Sequence, residues 1–142
     1  MNVSDIMTGH VISICEDEPV VAAARIMKQS NIGALPVRDG KGKLKGIVTD
    51  RDIVLRCVAS NANVQDVKIG EIMSRNLVTA SPFEEAEKAV ARMGECQVRR
   101  LPVTDNGVLV GIVALGDIAR KSEFEMEAGE ALSEISANFR RK

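Results

Sequence analysis

Three side chains near the middle of the chain have types and a spacing that could contact a ligand at the start of a helix. Thr49 and Asp52 are three residues apart, and Arg51 lies between them. They follow a β-prone run and open a predicted helix, where free backbone N–H groups and the helix dipole favour a phosphate. The same spacing is typical of a helix cap, in which both side chains bond to backbone N–H groups. Both interpretations stay open from these residues alone.

A second group of cations lies further along the chain. Arg99 and Arg100 directly precede Leu101 and Pro102. The planar guanidinium suits phosphate oxygens, although an exposed arginine is commonly just a solvated surface group. The chain has 19 Lys and Arg against 20 Asp and Glu, a formal charge of −1. No global field therefore draws it to nucleic acid or acidic lipid, and anion binding has to be local.

The elements that must position these residues occur twice. The motifs recur at an offset of 66 residues, as from Ile6 to Ile72, and at 65 from Leu44 onward. Self-similarity of this kind indicates two copies of one folding unit that share a core. One residue has been lost in a turn between the two ranges. The recurring segments are 5–8 with 71–74, 35–37 with 101–103, 46–48 with 111–113, and 52–53 with 117–118.

Each copy predicts the order strand, helix, strand, strand, helix. The first strands fall at 11–14 and 77–80, and the helices that follow carry apolar stripes at helical spacing. Ser81, Pro82 and Glu84 form a capping-box pattern that predicts a helix beginning at Pro82. Asn106-Gly107 between two β-prone runs predicts a hairpin. The prolines at 36 and 102 favour an edge strand, or a proline near the start of its strand.

The predicted domain boundaries follow the repeats. Residues 1–60 form the first repeat, 61–121 the second, and 122–142 an appended helical extension that packs on the module or on a partner. Its predicted apolar face comprises Met126, Leu132, Ile135 and Phe139. At 142 residues the chain is long enough for a core without metal or disulfides.

Composition excludes several classes of function. The chain has no Trp or Tyr and three Phe, which leaves little stacking surface for single-stranded nucleic acid. The three cysteines, Cys15, Cys57 and Cys96, are odd in number and far apart in the sequence, so we expect buried free thiols. No apolar run of membrane-spanning length occurs, and we expect a cytoplasmic protein that binds neither membrane nor nucleic acid. The sequence contains no nucleophile–base pair, no metal-ligand spacing and no phosphate loop, which are the patterns that would indicate an enzyme.

The doubled motifs resemble paired cystathionine-β-synthase (CBS) domains, which form a Bateman module, over about residues 3–121. The resemblance implies an α+β fold of two β-α-β-β-α repeats packed through their sheets with pseudo-two-fold symmetry. It also implies a regulatory module in which clefts between the repeats bind AMP, ADP, ATP or a related adenosyl ligand and modulate a partner protein. Such pairs often form homodimers, and no catalytic residue, metal or obligatory cofactor is expected.

The resemblance also implies roles for individual residues. Thr49 would give a hydroxyl to phosphate, Asp52 and its counterpart Asp117 a carboxylate to ribose, and Gly46 a close backbone approach to the ligand. Leu35-Pro36 and Leu101-Pro102 would line the adenine pocket beside Gly33 and Ala34, although plain strand packing is an equal alternative for Leu35. Basic residues at Arg51, Arg99 and Arg100 would contact phosphate. The chemistry is reasonable, since an ionised carboxylate can accept hydrogen bonds from both hydroxyls of a cis-diol.

The two copies differ where ligand chemistry is expected. Repeat two has Ala114 and Gly116 where repeat one has Thr49 and Arg51. Conversely, repeat one has Gly33 and Ala34 where repeat two has Arg99 and Arg100. We therefore expect two inequivalent sites, with the Asp52 site ranked ahead of the Asp117 site. The alternative function is a ligand-free scaffold for dimerisation or docking.

Overall fold

The computed structural model describes residues 1–119 and 125–141 of the chain. A π-helix spans Val54–Val58 and directly follows a short helix over Asp50–Ile53, and a 3-10 turn spans Ile69–Glu71. The order of strands and helices confirms the predicted α+β class. In chain order the remaining elements are α1 (Val3–Ile6), β1 (Ile14–Cys15), α2 (Val20–Ser30), β2 (Ala34–Arg38), β3 (Leu44–Thr49), α3 (Asp50–Ile53), α4 (Ala86–Cys96), β4 (Arg100–Asp105), β5 (Val108–Ala114), α5 (Leu115–Ala119) and α6 (Glu125–Arg141).

The chain divides into two compact units whose boundaries differ from those of the sequence repeats. The first-repeat unit contains Ile12–Leu77 with Gly107–Leu109. The second-repeat unit contains Met1–Val11, Val78–Asn106 and Val110–Lys142. The segment that opens each repeat in sequence therefore belongs to the unit built mainly from the other repeat.

Equivalent hydrogen bonds tie each opening segment into its unit. In the first-repeat unit, the Ser74 N–H donates to the Ile47 carbonyl at 2.8 Å and the Ile47 N–H donates back at 3.0 Å. In the second-repeat unit, Thr8 and Ile112 exchange the same pair of bonds at 2.9 and 3.0 Å. Each segment thus satisfies backbone groups at the edge of a strand that would otherwise be unpaired.

A glycine beside each of these contacts makes the close approach possible. A Cβ placed on Gly46 would lie 2.6 Å from the Ser74 carbonyl oxygen and 2.8 Å from the Met73 sulfur. A Cβ on Gly111 would lie 2.5 Å from the Met7 sulfur and 3.1 Å from the Thr8 carbonyl oxygen. Both glycines are therefore required by the packing of the opening segments.

The sheet of the first-repeat unit has the strand order β1-β2-β3. β1 pairs parallel to β2, with Ile14 opposite Val37, and β2 pairs antiparallel to β3. The edge-strand alternative for Pro36 is wrong, because β2 is the central strand. Pro36 is tolerated there because β1 pairs with the next two residues, so its missing N–H costs no bond on that side.

The second-repeat unit contains the two-stranded sheet β4-β5. Asn106 and Gly107 join the strands with φ values of 50° and 82°, which confirms the predicted tight hairpin. The strand predicted at 77–80 is reduced to a bridge between Ala80 and Val103.

The apolar stripes of the repeat helices are buried as predicted. Val20, Ala23 and Met27 of α2 pack into one core, and the corresponding face of α4 packs into the other. Both cores are built from aliphatic and sulfur-containing side chains, as the scarcity of aromatic residues requires.

The predicted start of α4 at Pro82 is wrong. Ser81 and Glu84 do interact, since the Ser81 N–H donates to Glu84 Oε2 at 3.2 Å, but they close a turn and the helix begins at Ala86. Glu85 forms an antiparallel bridge with Asn2, and the Ala86 N–H donates to the Met1 carbonyl at 3.0 Å. The opening segment thus occupies the backbone groups that an earlier helix start would need.

The appended helix α6 packs on α4 and α5. Its buried face contains Ala128 and Ala131, each 2% exposed, whereas the predicted face member Leu132 is 43% exposed. Of the predicted face, Ile135 does pack against the core. The prediction is wrong at Leu132, because a glycine on the neighbouring helix favours small residues on the contacting face of α6. A Cβ on Gly94 would lie 2.9 Å from the Ala131 Cα, so the two helices touch nearly backbone to backbone. The side chains of Met126 and Phe139 lie outside the described residues.

We expect Gly46→Ala to lower the free energy of unfolding by about 1–3 kcal/mol, because the added methyl group overlaps a backbone carbonyl that cannot move independently. Urea denaturation followed by circular dichroism measures the loss. Gly9→Ala is the matched control, since a Cβ there has no heavy atom within 4 Å. Equal midpoints for the two variants would contradict the packing role of Gly46.

Candidate functional site

Thr49 and Asp52 form a reciprocal cap at the junction of β3 and α3. The Asp52 N–H donates to Thr49 Oγ1 at 3.1 Å, and the Thr49 N–H donates to Asp52 Oδ2 at 2.9 Å. This capping box confirms the structural interpretation of the motif. It also fixes the orientation of the Asp52 carboxylate, whose side chain remains 14% exposed.

The second oxygen of Asp52 faces a cation that the sequence reading missed. Arg56 Nε lies 3.8 Å from Asp52 Oδ1, and Arg56 Nη1 donates to the Ile72 carbonyl at 3.1 Å. At 3.8 Å the first contact is an ion pair rather than a hydrogen bond, so Oδ1 keeps the capacity to accept. The i, i+4 spacing of Asp52 and Arg56 is the sequence signal that would have found this pair.

The start of β2 lies directly beside this cap. Ala34 is paired with Thr49 in the register of β2 and β3. The Gly33 carbonyl accepts a hydrogen bond from the Asp50 N–H at 2.9 Å. The structure therefore brings the predicted site residues Gly33, Ala34, Thr49 and Asp52 into one corner of the first-repeat unit.

An additional carboxylate occupies this corner. A Cβ on Gly33 would lie 3.1 Å from Asp50 Oδ2, and Asp50 Oδ1 accepts a hydrogen bond from the Arg51 N–H at 2.8 Å. The Arg51 side chain is exposed. Local charge is thus mixed, with Asp50 and Asp52 offset by Arg51 and Arg56.

Gly46 does not offer an open backbone surface to a ligand. Its unsubstituted side faces Met73 and the Ser74 carbonyl. The expectation that this glycine admits a ligand is therefore corrected: the approaching group is the protein's own opening segment.

The predicted adenine-lining residues are buried in the two units. Leu35 and Leu101 are each 0% exposed and belong to the hydrophobic cores, and Pro36 and Pro102 are also buried. Core packing, the alternative left open for Leu35, accounts for these positions. A contact between these residues and a base stays a prediction.

The second-repeat unit repeats the backbone geometry with different side chains. The Leu115 N–H donates to the Arg99 carbonyl at 2.9 Å, as Asp50 does to Gly33. Arg99 and Arg100 are exposed at the start of β4. Ala114 lacks the hydroxyl of Thr49, so the same reciprocal cap cannot form. Asp117 lies on α5, and its side chain is outside the described residues.

The remaining polar candidates make no further site within the described ranges. His10 is exposed. The cysteines are free, as predicted. Cys57 is also buried as predicted, whereas Cys96 is exposed at the end of α4. Among the residues that the structure describes, no cluster of three or more His, Cys, Asp or Glu side chains could hold a metal ion. Over the same residues, the helices are too short or too polar to cross a bilayer.

Comparisons with known proteins match both repeats to one family. The CBS domain matches residues 3–59 and 69–123. The chain is 44% identical over 135 residues to the CBS domain-containing protein YhcV of Bacillus subtilis, covering 95% of each chain.

Two solved structures are similar across most of the fold. The crystal structure of Hypoxic Response Protein I with two coordinated zinc ions has a TM-score of 0.76 and 36% identity, covering 84% of this chain and 98% of that one. The CBS domain pair of protein MJ0100, in complex with 5′-methylthioadenosine and S-adenosyl-L-methionine, has a TM-score of 0.72 and 35% identity, covering 84% and 94%. Together with the match to both repeats, these similarities show that the chain belongs to the CBS domain family and carries a tandem pair of CBS domains.

Proposed function

We propose that the chain is a regulatory module that binds an adenosyl ligand at the Thr49–Asp52 corner of its first-repeat unit. The observation that carries the proposal is the set of contacts that the two oxygens of the Asp52 carboxylate make. One carboxylate oxygen is fixed by the Thr49 N–H at 2.9 Å, and the other keeps accepting capacity beside Arg56, whose Nε lies 3.8 Å away. A carboxylate held in this way is preorganised to accept from the two hydroxyls of a ribose.

The site's charges favour ligands of low negative charge. Asp50 lies against Gly33 and would repel a phosphate placed there, whereas Arg51 is free to reach a phosphate from solvent. The ligands of the MJ0100 domain pair carry an adenosyl group without phosphate. AMP, ADP and ATP share that adenosyl group, so Asp52 would serve all of them and Arg51 would select among them.

A weaker site is proposed in the second-repeat unit. Arg99 and Arg100 there precede Leu101 and Pro102, and Asp117 stands at the position of Asp52. The absence of a hydroxyl at Ala114 removes the reciprocal cap that orients the carboxylate in the first-repeat unit. We therefore rank this site second for adenosyl ligands.

Ligand binding at Asp52 would reach a neighbouring segment through Arg56. Ribose hydroxyls on Asp52 Oδ1 would compete with the Arg56 guanidinium, which also binds the Ile72 carbonyl at 3.1 Å. Ile72 is held by the 3-10 turn at Ile69–Glu71. Occupancy would thus change the restraint on the 69–77 segment, which is the physical change that a partner protein would sense.

We expect purified protein to bind at least one of AMP, ADP, ATP, 5′-methylthioadenosine and S-adenosyl-L-methionine in isothermal titration calorimetry. Asp52→Asn should weaken that binding by about tenfold or more, because hydrogen bonds to an ionised group contribute roughly 1.5–3 kcal/mol each. The asparagine oxygen can still accept from the Thr49 N–H, which preserves the cap.

Asp66→Asn is the control for this experiment, since it removes an exposed carboxylate elsewhere in the first-repeat unit. Its affinity should match that of the unchanged chain. Binding by no ligand of the panel would refute the proposed function, and binding unaffected by Asp52→Asn would move the site elsewhere.

Thr49→Ala tests whether the Thr49 hydroxyl stabilises the protein as a helix cap. Loss of the hydroxyl acceptor should lower the free energy of unfolding by about 1 kcal/mol, the usual effect of removing an N-cap side chain. Thr49→Ser keeps the hydroxyl and should restore stability in urea denaturation. If serine fails to restore it, the threonine methyl group rather than the cap carries the stabilisation.

We also propose that the chain forms a homodimer through the exposed helix face of the first-repeat unit. Val54, Leu55 and Val58 are 55%, 48% and 56% exposed on consecutive turns of the segment that continues α3. Three large apolar side chains on one short helical face are typical of an interaction surface. This face also supports the scaffold alternative, in which association occurs without ligand.

Leu55→Glu should convert the dimer to a monomer in light scattering coupled to size exclusion, because a buried unpaired charge strongly disfavours an apolar interface. Phe83→Glu is the matched control, since Phe83 is 70% exposed in the second-repeat unit and should tolerate the charge. A chain ended after Lys121 should remain dimeric. A monomer on truncation, with Leu55→Glu still dimeric, would assign association to the C-terminal extension instead.

A further inference from the structure

A cavity of about 340 Å³ lies within the second-repeat unit, between the start of β4, α5 and α6. Its volume falls in the range of pockets that bind small molecules. Three of its lining residues, Ala128, Gly129 and Leu132, come from α6. This helix begins beyond residue 123, where the match to the CBS domain ends. The wall is therefore formed by a segment that the CBS domain match does not cover.

At two positions that line the cavity, the second repeat has a smaller residue than the first repeat has at the equivalent position. Gly116 and Ala119 line the cavity, and their counterparts in the first repeat are Arg51 and Val54. Both changes remove side-chain volume at the same face of the equivalent helix. A Cβ on Gly116 would have no heavy atom within 4 Å, so the position faces open space.

Two further substitutions change the chemistry of the wall. Leu115 replaces Asp50, and Arg99 replaces Gly33. The corner that holds a carboxylate in the first-repeat unit is thus apolar in the second, with a guanidinium added beside it. Among the described residues that line the cavity, Arg99 is the one that carries a charge.

The α6 wall is held firmly while its inner surface remains uncovered. Gly94 and Ala131 fix the helix on α4 at near backbone contact. Leu132, on the cavity side, is nevertheless 43% exposed, and a Cβ on Gly129 would meet no heavy atom within 4 Å. Apolar surface around an open volume beside one guanidinium is complementary to a molecule with an apolar body and an anionic end.

We propose that this cavity binds a small amphipathic anion, a medium-chain aliphatic carboxylate, distinct from the adenosyl ligand of the first-repeat unit. The aliphatic chain lies against Leu115, Ala119 and Leu132, and the carboxylate accepts hydrogen bonds from the Arg99 guanidinium. None of these groups belongs to the first-repeat unit, so the proposal does not depend on nucleotide binding there. Arg99 is shared with the weaker adenosyl site proposed in the second-repeat unit, so an adenosyl ligand at that weaker site would compete with the carboxylate for this guanidinium.

Octanoate is the probe, with 1-octanol as its uncharged counterpart, each titrated into the full chain by calorimetry at constant ionic strength. We expect octanoate to bind more tightly than 1-octanol by about tenfold, the effect of a charged hydrogen bond. Arg99→Gln should remove that preference while leaving the weaker binding of 1-octanol. No binding of octanoate at millimolar concentration, or an unchanged preference in Arg99→Gln, would overturn the proposal.

Filling the cavity tests its location. Gly129→Leu and Gly116→Leu place a side chain into open space from opposite walls, and leucine is favoured over glycine in a helix. Each should weaken octanoate binding by about tenfold or more through loss of the apolar contact. Ser133→Leu, on α6 and outside this cavity, is the control and should bind as the unchanged chain does.

Circular dichroism establishes that each variant is folded. Octanoate binding that survives both Gly129→Leu and Gly116→Leu would overturn the cavity assignment. The adenosyl ligand provides a separate readout, since its affinity should be the same in Gly129→Leu as in the unchanged chain. Failure of the cavity proposal and failure of the Asp52 site are therefore distinguishable.

Discussion

The structure depends on a backbone contact at which a side chain cannot be accommodated. At Gly46 and at Gly111, the carbonyl of an opening segment or a methionine sulfur approaches within 2.5–3.1 Å of where a Cβ would lie. The adjacent residues, Ile47 and Ile112, then exchange paired hydrogen bonds with that segment. Each compact unit is closed in this way by residues that open the other sequence repeat. Neither repeat completes its own strand edge, so the duplicated sequence folds as an interdependent pair.

The same contact connects the candidate site to the rest of its unit. Ile47 lies two residues before Thr49, so the bonds between Ile47 and Ser74 restrain the strand that carries the cap. A second connection runs from Asp52 through Arg56 to the Ile72 carbonyl. The 69–77 segment is therefore held to the site at two points, one made of backbone and one made of charged side chains. The charged connection is the one that the ligand proposed at Asp52 would alter.

Local patterns predicted much of this fold, and non-local contacts account for the errors. The helical stripes, the Asn106-Gly107 hairpin and the Thr49–Asp52 cap each depend on neighbours within a few residues, and the structure reproduces them. The start of α4 depends on Asn2, more than eighty residues away, so the capping pattern at Ser81 misplaced it. The role of Gly46 depends likewise on Ser74, which no local pattern around the glycine reveals. The contact of Arg56 with Asp52 was predictable from their i, i+4 spacing.

Divergence between the repeats explains why the appended helix covers one unit. α6 approaches α4 at Gly94, where the contact leaves no room for a side chain. The counterpart of Gly94 in the first repeat is Lys28 on α2, whose long side chain excludes a helix at that distance. α6 therefore packs on α4 and α5, and the equivalent face of the first-repeat unit keeps Val54 and its apolar neighbours exposed. The glycine on α4 thus permits a helix contact that the lysine at the equivalent position of α2 would not allow at the same distance.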